Sequence, residues 1–178
     1  ESTEFKITAK QLKEKITPKT KILMLNSPSN PTGSIYSKDE LLAIGEVLKG
    51  TDIIVLSDEM YEKLIYKGKK FTATAEVSPD MYNRTVTING LSKSVAMTGW
   101  RFGYVACPNV SLAKAMSKLQ GQVTSNVNSM TQYAAIVALE GEANKDIEMM
   151  RVEFEKRKNY AVEAINNIPK LSCYDPDG

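Results

Sequence analysis

Short, unbroken apolar runs, each stopping at a polar turn, most restrict how this chain can fold. Lys21-Ile22-Leu23-Met24-Leu25 runs into Asn26-Ser27-Pro28. Ile53-Ile54-Val55-Leu56, Thr85-Val86-Thr87-Ile88 and Phe102-Gly103-Tyr104-Val105-Ala106 repeat the pattern, the last stopped by Pro108. Apolar runs of this length, without polar alternation, read as buried strands. Helix signals or long connections separate the first three. Ser37-Lys38-Asp39-Glu40 is a capping box. It opens a helix whose Leu41, Ile44, Val47 and Leu48 share a face, and Gly50 ends it. Parallel strands need such crossovers. The expected fold class is therefore α/β, a mainly parallel sheet with helices on both faces. The compact link from the third run to the fourth leaves the fourth strand's direction open. Further helices are expected from Ser111 to about Gln122, from Ser129 to Leu139, and from about Asn144 to Ile168, closed by Pro169.

In open α/β sheets, ligands bind beyond the carboxyl ends of the strands. The segments at those positions are Asn26-Ser27-Pro28-Ser29-Asn30-Pro31-Thr32-Gly33, Ser57-Asp58-Glu59-Met60-Tyr61 and Asn89-Gly90-Leu91-Ser92-Lys93. All are polar, and a parallel sheet would bring them to one rim. Composition narrows the chemistry that such a rim can perform. The 178 residues contain no histidine. That excludes a Ser-His-Asp or Cys-His nucleophilic site within this chain and removes the commonest transition-metal ligand. Proton transfer then falls to Lys, Tyr, Asp, Glu or Cys. Cys107 and Cys173 lie far apart and form no metal or redox motif, so no metal site is expected. They read as free thiols in a reducing cytosol.

A formal net charge of +2, with no basic run, gives no reason to expect nucleic acid. No apolar stretch reaches the length of a membrane span, and Glu1-Ser2-Thr3-Glu4 does not read as a signal peptide. A cytoplasmic location is the expectation.

Taken singly, the candidate residues have ordinary explanations. A lone loop lysine is usually a solvated charge. Asp58 at a strand end, three residues before Tyr61, is usually a cap beside a packed ring. Asn30-Pro31-Thr32-Gly33 is a common turn composition. Together, and in this order, they carry more. The string from Asn89 to Tyr104, including Lys93 and Met97-Thr98-Gly99-Trp100-Arg101, resembles the cofactor-lysine segment of class I and II aminotransferases, pyridoxal-phosphate (PLP) enzymes of fold type I. Ser57-Asp58-Glu59-Met60-Tyr61 and Asn26 to Gly33 are similar to two further motifs of that family. The resemblance runs from Ile16-Thr17-Pro18-Lys19-Thr20 to about Gly141, and more loosely along the next helix.

The resemblance implies a role for each residue. Lys93 would bond PLP and act as the catalytic group. Arg101, and the hydroxyl of Ser92, would hold the cofactor phosphate. Asp58 would bind the pyridine nitrogen. Tyr61 and Asn30 would bond the phenolic oxygen, with Asn30 also facing the substrate carboxylate. The Asn30-Pro31 bond would be cis, as is frequent in the family. Glu59 reads as structural. Gly90 stands where one branch of the family has serine.

The run Ala96 to Arg101 is most like prokaryotic-type aspartate aminotransferases. It implies amino-group transfer between an amino acid, aspartate by expectation, and a 2-oxo acid such as 2-oxoglutarate. Other fold type I enzymes remain open: an aromatic or alanine aminotransferase, a carbon–sulfur lyase, or a PLP-binding regulator domain. The family is longer than this chain, which reads as a fragment, inactive alone. Residues 1–143 would be part of the large PLP-binding domain. Residues 144–178 would be the long connecting helix and the start of the small C-terminal domain. The family's enzymes are homodimers, so a homodimer is expected.

Overall fold

The structure, a computed structural model, describes residues 2–178. Four strands form one sheet in the order β1-β2-β3-β4: β1 (Ile22–Asn26), β2 (Ile54–Asp58), β3 (Thr85–Gly90) and β4 (Gly103–Ala106). The first three pair parallel and the fourth pairs antiparallel with β3. The direction that the sequence left open is thus antiparallel, as the compact link to β4 allows.

Helix α2 (Lys38–Leu48) forms the crossover between β1 and β2 and starts at a complete capping box of Ser37 and Glu40. Its Leu41, Ile44 and Leu48 are buried against Leu25, Val55 and Met81, the centre of the core. Two short helices carry no strong apolar period in the sequence. Helix α1 (Ala9–Lys15) starts at a capping box of Thr8 and Gln11 and buries only Leu12. Helix α3 (Pro79–Arg84) starts at the Ser78 cap and ends in Arg84. The Arg84 guanidinium donates to both Asp80 oxygens at 2.9 Å and to the carbonyls of Thr51 and Ile53 at 3.0 and 2.8 Å. That fork ties α3 to the entry of β2.

Successive side chains alternate between the faces of a strand. Leu25, Val55 and Ser57 are buried on the face that the core covers, whereas Ile22 and Met24, on the other face of β1, are 56% and 74% exposed. Helices α4 (Leu91–Ser94), α5 (Val110–Val123), α6 (Ser129–Leu139) and α7 (Asn144–Asn166) complete the chain. The Thr131 hydroxyl, fully buried, donates to the Trp100 carbonyl at 3.3 Å and anchors α6 beside the turn before β4. Arg151 of α7 donates to the Ile65 carbonyl at 3.1 Å, and the Lys67 amide donates to Glu155 at 2.7 Å. Helix α7 is thereby held beside the segment that follows β2.

Leu41 is completely buried at the centre of this core, whereas Lys49 lies on the surface. Leu41→Ala is expected to cost about 2–5 kcal/mol. Lys49→Ala should stay within about 0.5 kcal/mol of the parent. Urea unfolding monitored by circular dichroism checks both.

Candidate active site

The parallel register places Asn26 beside Asp58, and Asp58 beside Ile88. Main-chain bonds extend this pairing past the strand ends: the Ser27 amide donates to the Asp58 carbonyl at 3.1 Å, and the Glu59 amide to the Ile88 carbonyl at 2.9 Å. Asn26 joins the rim to the next turn. Its amide donates to the Asp58 carbonyl at 3.2 Å, and its side-chain oxygen accepts from the Asn30 amide at 2.8 Å. The Asn30 turn closes on itself through Gly33 N–H to Ser29 O at 2.7 Å and Ser29 N–H to Ser34 O at 2.9 Å. Both Ser27-Pro28 and Asn30-Pro31 are cis.

A cleft of about 510 Å³ opens at this rim, and Asn30, Tyr61, Ser92 and Lys93 all line it. The Asn30 amide donates to the Tyr61 hydroxyl at 3.1 Å, and the Lys93 ammonium lies 5.6 Å from the centre of the Tyr61 ring. An amine, a phenol and an amide thus converge from three strand ends. Lys93 stands on the one-turn helix α4 rather than in an open loop. The reason is local: after Gly90 ends β3, the Val95 amide reaches back to the Leu91 carbonyl and the Ser94 hydroxyl to that of Gly90.

Asp58 and Arg101 are not among the residues that line the cleft. The Asp58 carboxylate accepts from the Met60 amide at 3.1 Å at the end of β2. Arg101 is exposed, adopts a left-handed backbone (φ 55°) and donates to the Thr98 carbonyl at 2.8 Å. Its planar fork retains further donors, as an anion-binding arginine requires. Gly90 has no space for a side chain, because a Cβ would lie 2.7 Å from the Phe102 carbonyl and 3.1 Å from the Gly103 Cα. The close approach of β4 therefore leaves no room for a serine side chain at this position with the backbone as it stands.

Glu59, read as structural, is 3% exposed on the covered side of the sheet. It accepts from the Ser57 hydroxyl at 2.9 Å and the Thr74 amide at 3.0 Å. Strand alternation turns Asp58 to the opposite side. The Ser57–Glu59–Thr74 network therefore pins the strand end from behind and leaves Asp58 free of it. Burial pushes the Glu59 carboxyl above its ordinary value, Glu62 adds to the rise, and the bonds from Thr74 and Ser57 offset part of it.

Tyr66, Met150, Phe154 and Gly178 also line the cleft. Their part in it has no local signal. Phe154 belongs to an apolar helical stripe that reads as core, and only the position of α7 brings it to the rim. Among the described residues, no group of three or more Cys, Asp or Glu is placed to hold a metal, and no helix is long and apolar enough to cross a membrane.

An open, mainly parallel sheet that presents a lysine, a tyrosine and an asparagine from its strand ends defines the class: an α/β domain with a ligand site at the carboxyl rim of its strands. Comparison with known proteins gives the family. The profile described as aminotransferase class I and II matches residues 1–178, and the chain belongs to that family. An aspartate aminotransferase of Geobacillus stearothermophilus is 49% identical over all 178 residues. A probable aspartate/prephenate aminotransferase of Rhizobium leguminosarum bv. phaseoli is 47% identical over 175 residues, 98% of this chain and 43% of the relative. The crystal structure of the aspartate aminotransferase from Rhizobium meliloti superposes with a TM-score of 0.95 at 40% identity, over 100% of this chain and 44% of that one. The chain spans 45% of the length of the Geobacillus relative.

The sign of the Glu59 effect is fixed by its raised value. The folded state holds this proton over a pH range in which the unfolded chain, ionising near pH ~4.3, has lost it. Its contribution to stability is fully present below that pH and is lost as pH rises through the folded-state value. Glu59→Gln keeps an acceptor and cannot ionise. The variant should gain on the parent as pH rises from about 4 to 8, by about 2–4 °C in Tm for each kcal/mol. Thermal melts at both ends of that range check the sign.

Proposed function

We propose that the protein to which this chain belongs is a PLP-dependent transaminase that acts on an acidic amino acid, aspartate, with 2-oxoglutarate as the acceptor. The observation that carries the reading is the convergence of Lys93, Tyr61 and Asn30 on one cleft. The groups that line the cleft fit PLP: a primary amine for an aldehyde, a phenol and an amide for a phenolic oxygen, and a hydroxyl for a phosphate; the Asp58 carboxylate and Arg101, outside that lining, would complete the set at the ring nitrogen and the phosphate. PLP, when bound, supplies an electron-withdrawing ring that stabilises negative charge at the substrate's α-carbon.

The protein's residues do the rest. Lys93 would hold the cofactor covalently, and its amine would carry the proton between the substrate's α-carbon and the cofactor. Asp58 would bind the ring nitrogen and favour its protonated form. Ser92, which lines the cleft, and Arg101, whose guanidinium has donors beyond the one given to the Thr98 carbonyl, would hold the phosphate. Tyr61 and Asn30 orient the ring, and Asn30 also faces the substrate carboxylate. The related aspartate and probable aspartate/prephenate aminotransferases support an acidic substrate.

Residues 1–143 are read as part of the large domain, and 144–178 as the connecting helix and the start of the small one. We infer a homodimer. Its support is the apolar surface of α6, where Met130 and Tyr133 are each 74% exposed. A cytoplasmic location follows from the same reading. The 178 residues alone are expected to show no turnover of aspartate and 2-oxoglutarate in a coupled assay. The support is that they span 45% of the length of the Geobacillus relative.

In the full-length protein, borohydride reduction followed by peptide mass spectrometry should place the cofactor on Lys93; modification of Lys114 or Lys118 instead would refute the assignment. Lys93→Ala should retain PLP but lose at least about 10²–10⁴-fold in kcat. Asp58→Ala should differ by also weakening cofactor retention on dialysis.

A further inference from the structure

Three segments distant in sequence meet behind the Asn30 turn. The amides of Asp177 and Gly178 both donate to the Gly33 carbonyl at 2.9 Å, and the Asp177 carbonyl accepts from the Tyr66 amide at 2.7 Å. The Asp177 side chain is only 3% exposed and lies between two cations, Lys67 at 3.2 Å and Lys69. Burial alone would push the Asp177 carboxyl up, but Lys69 and Lys67 outweigh it and hold the group ionised. Lys67 also pairs with Asp175 at 2.8 Å, and Asp175 with Lys158 of α7 at 2.7 Å.

The fit is between main chains. Gly33 has φ +67°, and a Cβ there would collide with the Gly178 carbonyl and with Pro176. A Cβ on Gly178 would come within 2.8 Å of the Leu64 carbonyl and 3.0 Å of Pro28. On one side of this contact, Gly33 closes the turn that presents Asn30. On the other, Leu64 and Tyr66 continue the segment that presents Tyr61, and the Leu64 amide donates to the Tyr61 carbonyl at 2.8 Å. Asn30 is itself exposed; its backbone N–H is held by Asn26, but its side-chain amide is held only by the Tyr61 hydroxyl. The geometry of the Asn30–Tyr61 pair therefore depends on what locks the two segments together.

We propose that Asp177 is a positioning residue: docked on Gly33 and Tyr66 and held by Lys67 and Lys69, it fixes the Asn30–Tyr61 pair and so sets the affinity for the acidic substrate without touching it. The inference rests on the transaminase reading. A side chain that acts only on folding would lower the melting temperature and leave binding by the folded fraction alone. A positioning residue changes binding through Asn30.

The test uses the full-length holoenzyme and maleate, an unreactive dicarboxylate, titrated by cofactor absorbance. Asp177→Asn keeps the shape and the main-chain bonds but removes the charge that pairs with Lys69 and, at 3.2 Å, with Lys67, which keeps Asp175. It should weaken maleate binding and raise KM for aspartate about tenfold, with kcat within about twofold and the cofactor retained. Asn30→Ala should weaken maleate binding as well, and adding Asp177→Asn to it should cost nothing further. Should Asp177→Asn not fold, Lys69→Gln, which removes one of the two cations that hold Asp177 and lies outside the cleft lining, should give the same KM-selective loss. Unchanged maleate binding in the folded variant, or losses that multiply in the double variant, would overturn the positioning role while leaving the transaminase reading intact. Maleate binding unaffected by Asn30→Ala would overturn both.

Discussion

Parallel pairing of β1, β2 and β3 in one register is the constraint on which the rest of the molecule depends. It sets Asn26, Asp58 and Ile88 side by side, so the residues after each strand begin their turns from a common line. Asn26 then bridges two of those turns with its two side-chain atoms. Were one strand to slip by a residue, every side chain on it would change face. Asp58 would then meet the core, and Ser57 would leave the network with Glu59 and Thr74. The buried carboxylate and the strand register therefore support each other. Glu59 costs free energy in isolation, and it is tolerated because two donors meet it only in this register.

The helices after β4 play a different part. Their contacts with the rim are few but specific: Thr131 on the Trp100 carbonyl, Arg151 on that of Ile65, and Glu155 on the Lys67 amide. Each bonds a main-chain group in a segment that leads to or from a site residue. Most of their apolar side chains do not enter the sheet's core; Leu119, Met130 and Tyr160 are exposed at 66%, 74% and 76%.

Much of this was legible in the sequence, for identifiable reasons. The four strands and helices α2, α5, α6 and α7 stand where apolar period, the Ser37 cap and Pro108 place them. Three of the site's segments were found because strand order alone sends them to one rim. What was not legible depends on contacts between distant parts. Helix α1 buries a single leucine and has no period to detect. The direction of β4 depends on the reach of a loop. The one-turn helix under Lys93 is stabilised by two bonds that composition does not reveal. Tyr66, Phe154 and Gly178 reach the cleft only through the placement of α7 and the segment beyond it. Glu59 and Asp58 are neighbours with opposite environments, and only the pleat separates them.

Gly90 carries a consequence for how such proteins diverge. Its hydrogen faces the Phe102 carbonyl and the Gly103 backbone, so the residue is fixed by the proximity of another strand rather than by any demand of its own chemistry. A lineage that acquires serine at this point must first move its fourth strand away, and a lineage that keeps glycine forgoes that hydroxyl as a ligand.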